Sequence, residues 1–131
     1  MASTRASSKR AFQLRFEYRP DYLYIRVKSE RIDFESALSI WHEIAEECGK
    51  SGYQKLLIDR DIPKLLPEPD LFWLRSELPK MGFRNFLIAI ADHHEENYKL
   101  NRFADTVSNN RGVSTGTFRT VKAAEQWLSG I

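Results

Sequence analysis

The chain has a single cysteine, Cys48, among its 131 residues. No disulfide can therefore close within it, and a reducing compartment, the cytoplasm, is the expected location. No apolar run approaches the ~20 residues a helix needs to cross a membrane. The opening decapeptide MASTRASSKR lacks the apolar stretch of a secretory signal. Histidines never recur at the HxH or HxxxH spacing that a strand or helix uses to share a metal. A large charge excess is missing too. The net charge is +2, and Arg5, Lys9 and Arg10 supply +3 with no acid nearby, which leaves residues 11–131 at −1. A neutral body gives nucleic acid little to hold. The basic character belongs to residues 1–10, expected to be a disordered tail, and residues 11–131 are long enough for one domain with one core.

What is present is alternation. FQLRFEYR places Phe12, Leu14, Phe16 and Tyr18 on one side, and YLYIRVK does the same with Leu23, Ile25 and Val27. With Pro20-Asp21 between them, the two stretches read as an antiparallel hairpin. The spacing then changes to helical. Phe34, Ala37, Leu38, Trp41, Ile44, Ala45 and Cys48 form one stripe, with Asp33 as cap and Gly49 or Gly52 as stop. KLLID and NFLIAIAD are short, nearly unbroken apolar runs, as expected of central parallel strands covered on both faces. Between them Leu71, Leu74, Leu78 and Met81 mark a second helix, ended by Pro79 and Gly82. Leu100, Phe103, Ala104 and Val107 mark a third. GVSTGTF follows as a strand near an edge, and a last helix is capped by Thr120, with Ala124, Trp127 and Leu128 inward. The order ββαβαβαβα predicts an α/β fold, a mixed sheet covered by about four helices.

The glycine-bearing stretch NNRGVSTGTF raises the possibility of a phosphate cradle. Such a loop follows a strand and opens a helix, whereas Gly112 follows a helix and precedes a strand. It reads as a turn, and Gly116 as a bulge or a close backbone contact.

The element order and the segment RFADTVSNNRGVSTGTFRTVKAAEQWL resemble the STAS superfamily, in its SpoIIAA-like branch, over about residues 11–130. The resemblance implies a domain without catalytic activity or cofactor that works through protein partners. In that family a switch serine stands just after the third strand. Here the place reads LLIDRDIPKLLPEPD, with no serine or threonine, and Ser76 lies inside the following helix. The phosphorylation switch is not carried over. Similarity of this branch to lipid-carrying Sec14-type domains implies an apolar small molecule as the alternative ligand.

Two groups of residues are candidates for function. Strands ending in Asp59, with Asp61 nearby, and in Asp92, followed by His93 and His94, place acids and imidazoles where open α/β sheets gather ligands. If Asp59, Asp92 and His94 converge, they could hold a divalent metal or act as acid and base. The bland alternative is that the acids cap loops and the histidines are solvated. The second group is Leu71, Phe72, Trp73 and Leu74. Four consecutive large apolar residues span more than the core-facing arc of a helix, so one or two are expected to be exposed or covered by something else, as a surface for a protein partner, a second copy or an apolar ligand; the alternative is a broad core contact. Trp41 and Trp127 fall on helical stripes and belong to the core. Cys48 has no base beside it and is no nucleophile. Tyr22, Tyr24, Arg26 and Lys28 share the outward face of the hairpin, a combination that can stack on nucleic acid, though Glu17 and the neutral body argue against it.

Overall fold

The computed structural model describes residues 4–7 and 12–130. Strands β2 (Gln13–Tyr18) and β3 (Leu23–Lys28) form the expected hairpin, with Phe16 opposite Ile25. From β3 the chain runs through α1 (Phe34–Ser51) to β4 (Lys55–Asp61), then α2 (Glu68–Glu77) to β5 (Leu87–Asp92). It continues through α3 (Tyr98–Asn109) to β6 (Ser114–Phe118) and ends in α4 (Val121–Leu128). The pairs β3–β4, β4–β5 and β5–β6 are all parallel, and the sheet follows chain order with β6 at one edge. Inside the expected tail, β1 (Thr4–Ser7) adds to the other edge, antiparallel to β2. Main-chain pairing makes no demand on side-chain type, so the composition of residues 4–7 need not announce a strand. The remainder of residues 1–10 lies outside the described residues.

Consecutive parallel strands laid in chain order, joined by right-handed crossovers, put every crossover helix on the same face. The core agrees. Leu14, Phe16, Ile25, Ile58, Ile88 and Ile90 pack with Ile40, Ile44 and Cys48 of α1, and Leu78 and Phe83 close the layer beyond α2. The other face is covered by α4. There Leu57, Ala89 and Ala91 meet Ala124 and Leu128. Small residues let this helix sit close. Gly116, read as a bulge or close contact, is the latter: it keeps its sheet pairing with Ala89, and the Phe118 and Trp127 rings lie over it.

Local signals set the element ends. Asp33 accepts from the Ser36 amide at 2.8 Å, Thr120 from the Ala123 amide at 3.1 Å, and Gly52 stops α1 in a left-handed conformation, φ 82°. The NNRG segment is indeed a turn. Gly112 has φ 85°, the Val113 amide reaches back to the Ser108 carbonyl, and the Asn109 side chain accepts from the Thr115 amide at 2.8 Å. Trp41 and Trp127 are partly buried, against Phe83 and Phe118 respectively.

Candidate functional site

The carboxyl ends of β3, β4 and β5 bring the strand-end residues together, but in two groups rather than one. On the face shared with α4, His93 Nε2 lies 2.5 Å from Asp59 Oδ1, so that nitrogen carries the donated proton. Tyr24 Oη donates to the other Asp59 oxygen, and Arg26 Nη1 stands 3.1 Å from Oδ1. Arg26 also reaches Asp61, whose Oδ1 is 2.7 Å from His94 Nε2. The two adjacent histidines therefore serve two different aspartates, bridged by one arginine.

Asp92 is elsewhere. In the parallel register Asp59 stands beside Ala91 and Arg60 beside Asp92, so Asp92 faces the three-helix side. It accepts from Arg60 Nη2 at 2.7 Å, Asn101 Nδ2 at 2.7 Å and Asn97 Nδ2 at 3.2 Å. Asp59, Asp92 and His94 thus do not converge, because strand alternation separates the two carboxylates. Among the described residues no three His, Cys, Asp or Glu side chains group as metal ligands.

Electrostatics follow from these contacts. For Asp59, burial disfavours the charge, but bonds from Tyr24 and His93 and the Arg26 charge outweigh it and hold the carboxyl below its usual range. Asp92 is lowered likewise: burial opposes, and Arg60 and Asn101 prevail. Burial and the Asp59 charge push the Tyr24 phenol up to about 12. Tyr24, expected on an outward stacking face, is in fact buried under Arg19 and Arg15. That cover removes it from any nucleic-acid platform.

The second candidate group divides as a helix of this kind must. Leu71 and Leu74 are buried, so Leu71 belongs to the core rather than to a surface. Phe72 and Trp73 remain 41% and 47% exposed. The Trp73 ring meets Phe34 of α1 near edge-on, centroids 5.4 Å apart, and Phe72 leans on Phe103 of α3 at 6.5 Å. Arg111 lies over Phe72 at 5.2 Å, and Glu68 and Pro69 share an open hollow with Phe72 and Phe103. The result is an aromatic strip crossing three helices, with charges of both signs around it.

Beneath α2 the sequence reading missed two arginines, Arg75 buried and Arg60 half-buried. A cavity of about 70 Å³ lies between the sheet and helices α1 and α2, walled by Ala37, Ile40, Ile58 and Leu74, with Arg60 and Arg75 also lining it. Arg75 is 2% exposed and donates through Nη1 to Ser108 at 2.9 Å, Thr115 at 3.3 Å and Asp105 at 3.3 Å. Burial lowers its pKa first, Arg60 adds to that, and Asp105 opposes it. Arg60 Nε is buried and finds no acceptor among the described residues. One signal for Arg75 was in the sequence: it stands four residues after Leu71, on the stripe that turns inward. No helix among the described residues is long and apolar enough to cross a membrane. Compared with known proteins, the chain matches no family model and no curated protein.

Proposed function

We propose that this chain is a non-enzymatic binding domain of STAS-like architecture that works through a protein contact on the outer face of α2, and that the partner is a second copy of the chain. One observation carries it. Phe72 and Trp73, adjacent on α2, both face solvent at 41% and 47% exposure, where a monomer gains little from large aromatics and an interface gains most. A two-fold contact needs a patch complementary to itself. The strip supplies Glu68 in the hollow shared by Phe72 and Phe103, together with Arg111 over Phe72. Opposite signs within one patch suit an antiparallel pairing of two strips.

The strand-end acids and histidines support the same reading. Asp59 already accepts from a phenol, an imidazole and a guanidinium, the pattern of an anchor for the ends of three strands. The test is a concentration series of amide spectra. Shifts confined to residues 34–35, 68–73, 103 and 111 are expected as the protein is concentrated. Shifts that are absent, or that fall on the open face of β2 and β3, argue against the proposal.

A further inference from the structure

We infer that the cleft at the carboxyl ends of β5 and β6 is a binding site for a small aromatic carboxylate that carries a hydroxyl at its far end. The inference does not rest on the contact at Trp73. Four observations carry it.

The first is place. Helix α3 leaves β5 and crosses the face that holds α2, whereas α4 leaves β6 and covers the other face. The chain thus turns opposite ways at the ends of two neighbouring parallel strands, and open α/β sheets gather ligands in the crevice this creates. A cleft of about 250 Å³ lies at this point, lined by Tyr98, Arg102 and Asp105 of α3 and by Thr117, Phe118 and Arg119. A cavity of about 150 Å³ accepts a benzene ring, so this one has room for a single ring with its substituents.

The second is an outer clamp. Arg102 donates to the Tyr98 hydroxyl at 3.3 Å and lies over its ring at 5.7 Å. Among the described residues Arg102 has no carboxylate partner, and the Tyr98 hydroxyl proton has no acceptor. Two neighbouring donors, one of them charged, suit the two oxygens of a carboxylate.

The third is an inner acceptor. Asp105 Oδ1 already accepts from Arg75 and Thr115, while Oδ2 accepts from Thr117 at 2.9 Å. A carboxylate offers about four acceptor positions, so one remains on the oxygen that Asp105 shares with Thr117. Both residues line the cleft. Arg102 and Asp105 stand about 4.5 Å apart along the helix axis, a span that one ring bridges. A ligand hydroxyl therefore meets Asp105 while its carboxylate meets Arg102.

The fourth is charge. Glu95 is paired with Arg119 at 2.7 Å, Asp92 with Arg60 at 2.7 Å, Asp105 with Arg75 at 3.3 Å, and His94 with Asp61 at 2.7 Å. Of the charges that line the cleft, Arg102 alone is left over, which favours one negative charge on the ligand. An ammonium finds no unpaired carboxylate. The Tyr98 ring, and the Phe118 ring packed on Trp127, supply aromatic walls for the ligand's body.

The experiment follows the backbone amides of residues 98, 102, 105 and 117–119 while 4-hydroxybenzoate is added to the full chain. Two probes serve as controls. 4-Hydroxybenzamide keeps the ring and hydroxyl but loses the charge, and benzoate keeps the charge but loses the hydroxyl. 4-Hydroxybenzoate is expected to saturate these shifts at about millimolar concentration or below. It should bind about tenfold tighter than the amide, as a charge-assisted hydrogen bond implies, and tighter than benzoate. Arg102→Gln, at an exposed helix position, should keep the spectrum of the folded domain and bring the acid and the amide to equal affinity. Equal affinities in the wild type would overturn the inference, as would an absence of saturation or shifts that fall outside the cleft. Benzoate binding as tightly as 4-hydroxybenzoate would overturn the part given to Asp105, and tighter binding of 4-hydroxybenzylamine would overturn the assigned charge.

Discussion

Asp59 and Asp92 sit on neighbouring parallel strands, one register step apart, yet face opposite sides of the sheet. Asp59 joins Tyr24, Arg26 and His93 on the α4 side, and Asp92 joins Arg60, Asn97 and Asn101 under the three helices. The single-residue offset decides which arginine each carboxylate neutralises, and so what each is worth.

Replacing Asp92 by asparagine leaves Arg60 without a carboxylate in a buried site. Breaking such a pair costs about 3–5 kcal/mol. Replacing Asp59 is milder, about 1 kcal/mol, because Arg26 keeps Asp61 and lies nearer to water. Urea denaturation of Asp59→Asn and Asp92→Asn should rank them in that order. Equal losses would mean that Arg60 reaches another acceptor once Asp92 is gone.

Acid should weaken the fold through the same groups. Asp59, Asp61 and Asp92 all have carboxyls held below the usual range in the folded state. A lowered folded value contributes stability that is complete above the unfolded value, about 4, and is lost as the pH falls through the folded one. Thermal melts should therefore change little through the carboxylates between neutral pH and about 5, then fall steeply. Asp92→Asn should flatten part of that slope.

Cys48 should be inert until the fold opens. Burial, with Glu47 adding to it, pushes its thiol up to about 12, so almost no thiolate is present at neutral pH. Labelling with a thiol reagent is expected to be slow in the native protein and immediate in denaturant. Rapid native labelling would show that α1 separates readily from the sheet.

Gly116 is fixed by its neighbours rather than by its backbone. A methyl group there meets the Phe118 ring at 3.1 Å and Trp127 at 3.4 Å. Gly116→Val should push α4 away from β5 and β6 and cost about 1–3 kcal/mol, read by chemical denaturation. No loss would mean that both rings swing aside freely.

Most of this fold was legible because two periods, two and 3.6, carry it. Leu14, Phe16, Ile25 and Val27 announced the hairpin, and Asp33, Thr120 and Gly112 marked element ends where the structure has them. That one or two of Leu71, Phe72, Trp73 and Leu74 would stand outside the core followed from arc width; that they are Phe72 and Trp73 follows from how α2 is turned. The site was legible only in part. That Asp59 would find His93, and Asp61 His94, depends on how β4 and β5 align, which no single strand reveals. Tyr24 was expected outside because its alternation is right, yet the face it occupies is covered by arginines from β2 and the following turn. Arg60 and Arg75 escaped notice because polarity suggested surface, whereas Asp92 lets Arg60 be half-buried and Asp105 lets Arg75 be buried.

The central claim concerns the aromatic strip on α2. Trp73→Ala removes a solvent-facing ring and its contact with Phe34, a loss of about 1 kcal/mol that leaves the domain folded. Sedimentation equilibrium of the wild type should describe a monomer–dimer balance. In Trp73→Ala it should move toward monomer by about thirtyfold or more in dissociation constant, the effect of removing one interface anchor. A wild type that stays monomeric at every concentration, or a Trp73→Ala protein that dimerises as well as the wild type, would contradict the account.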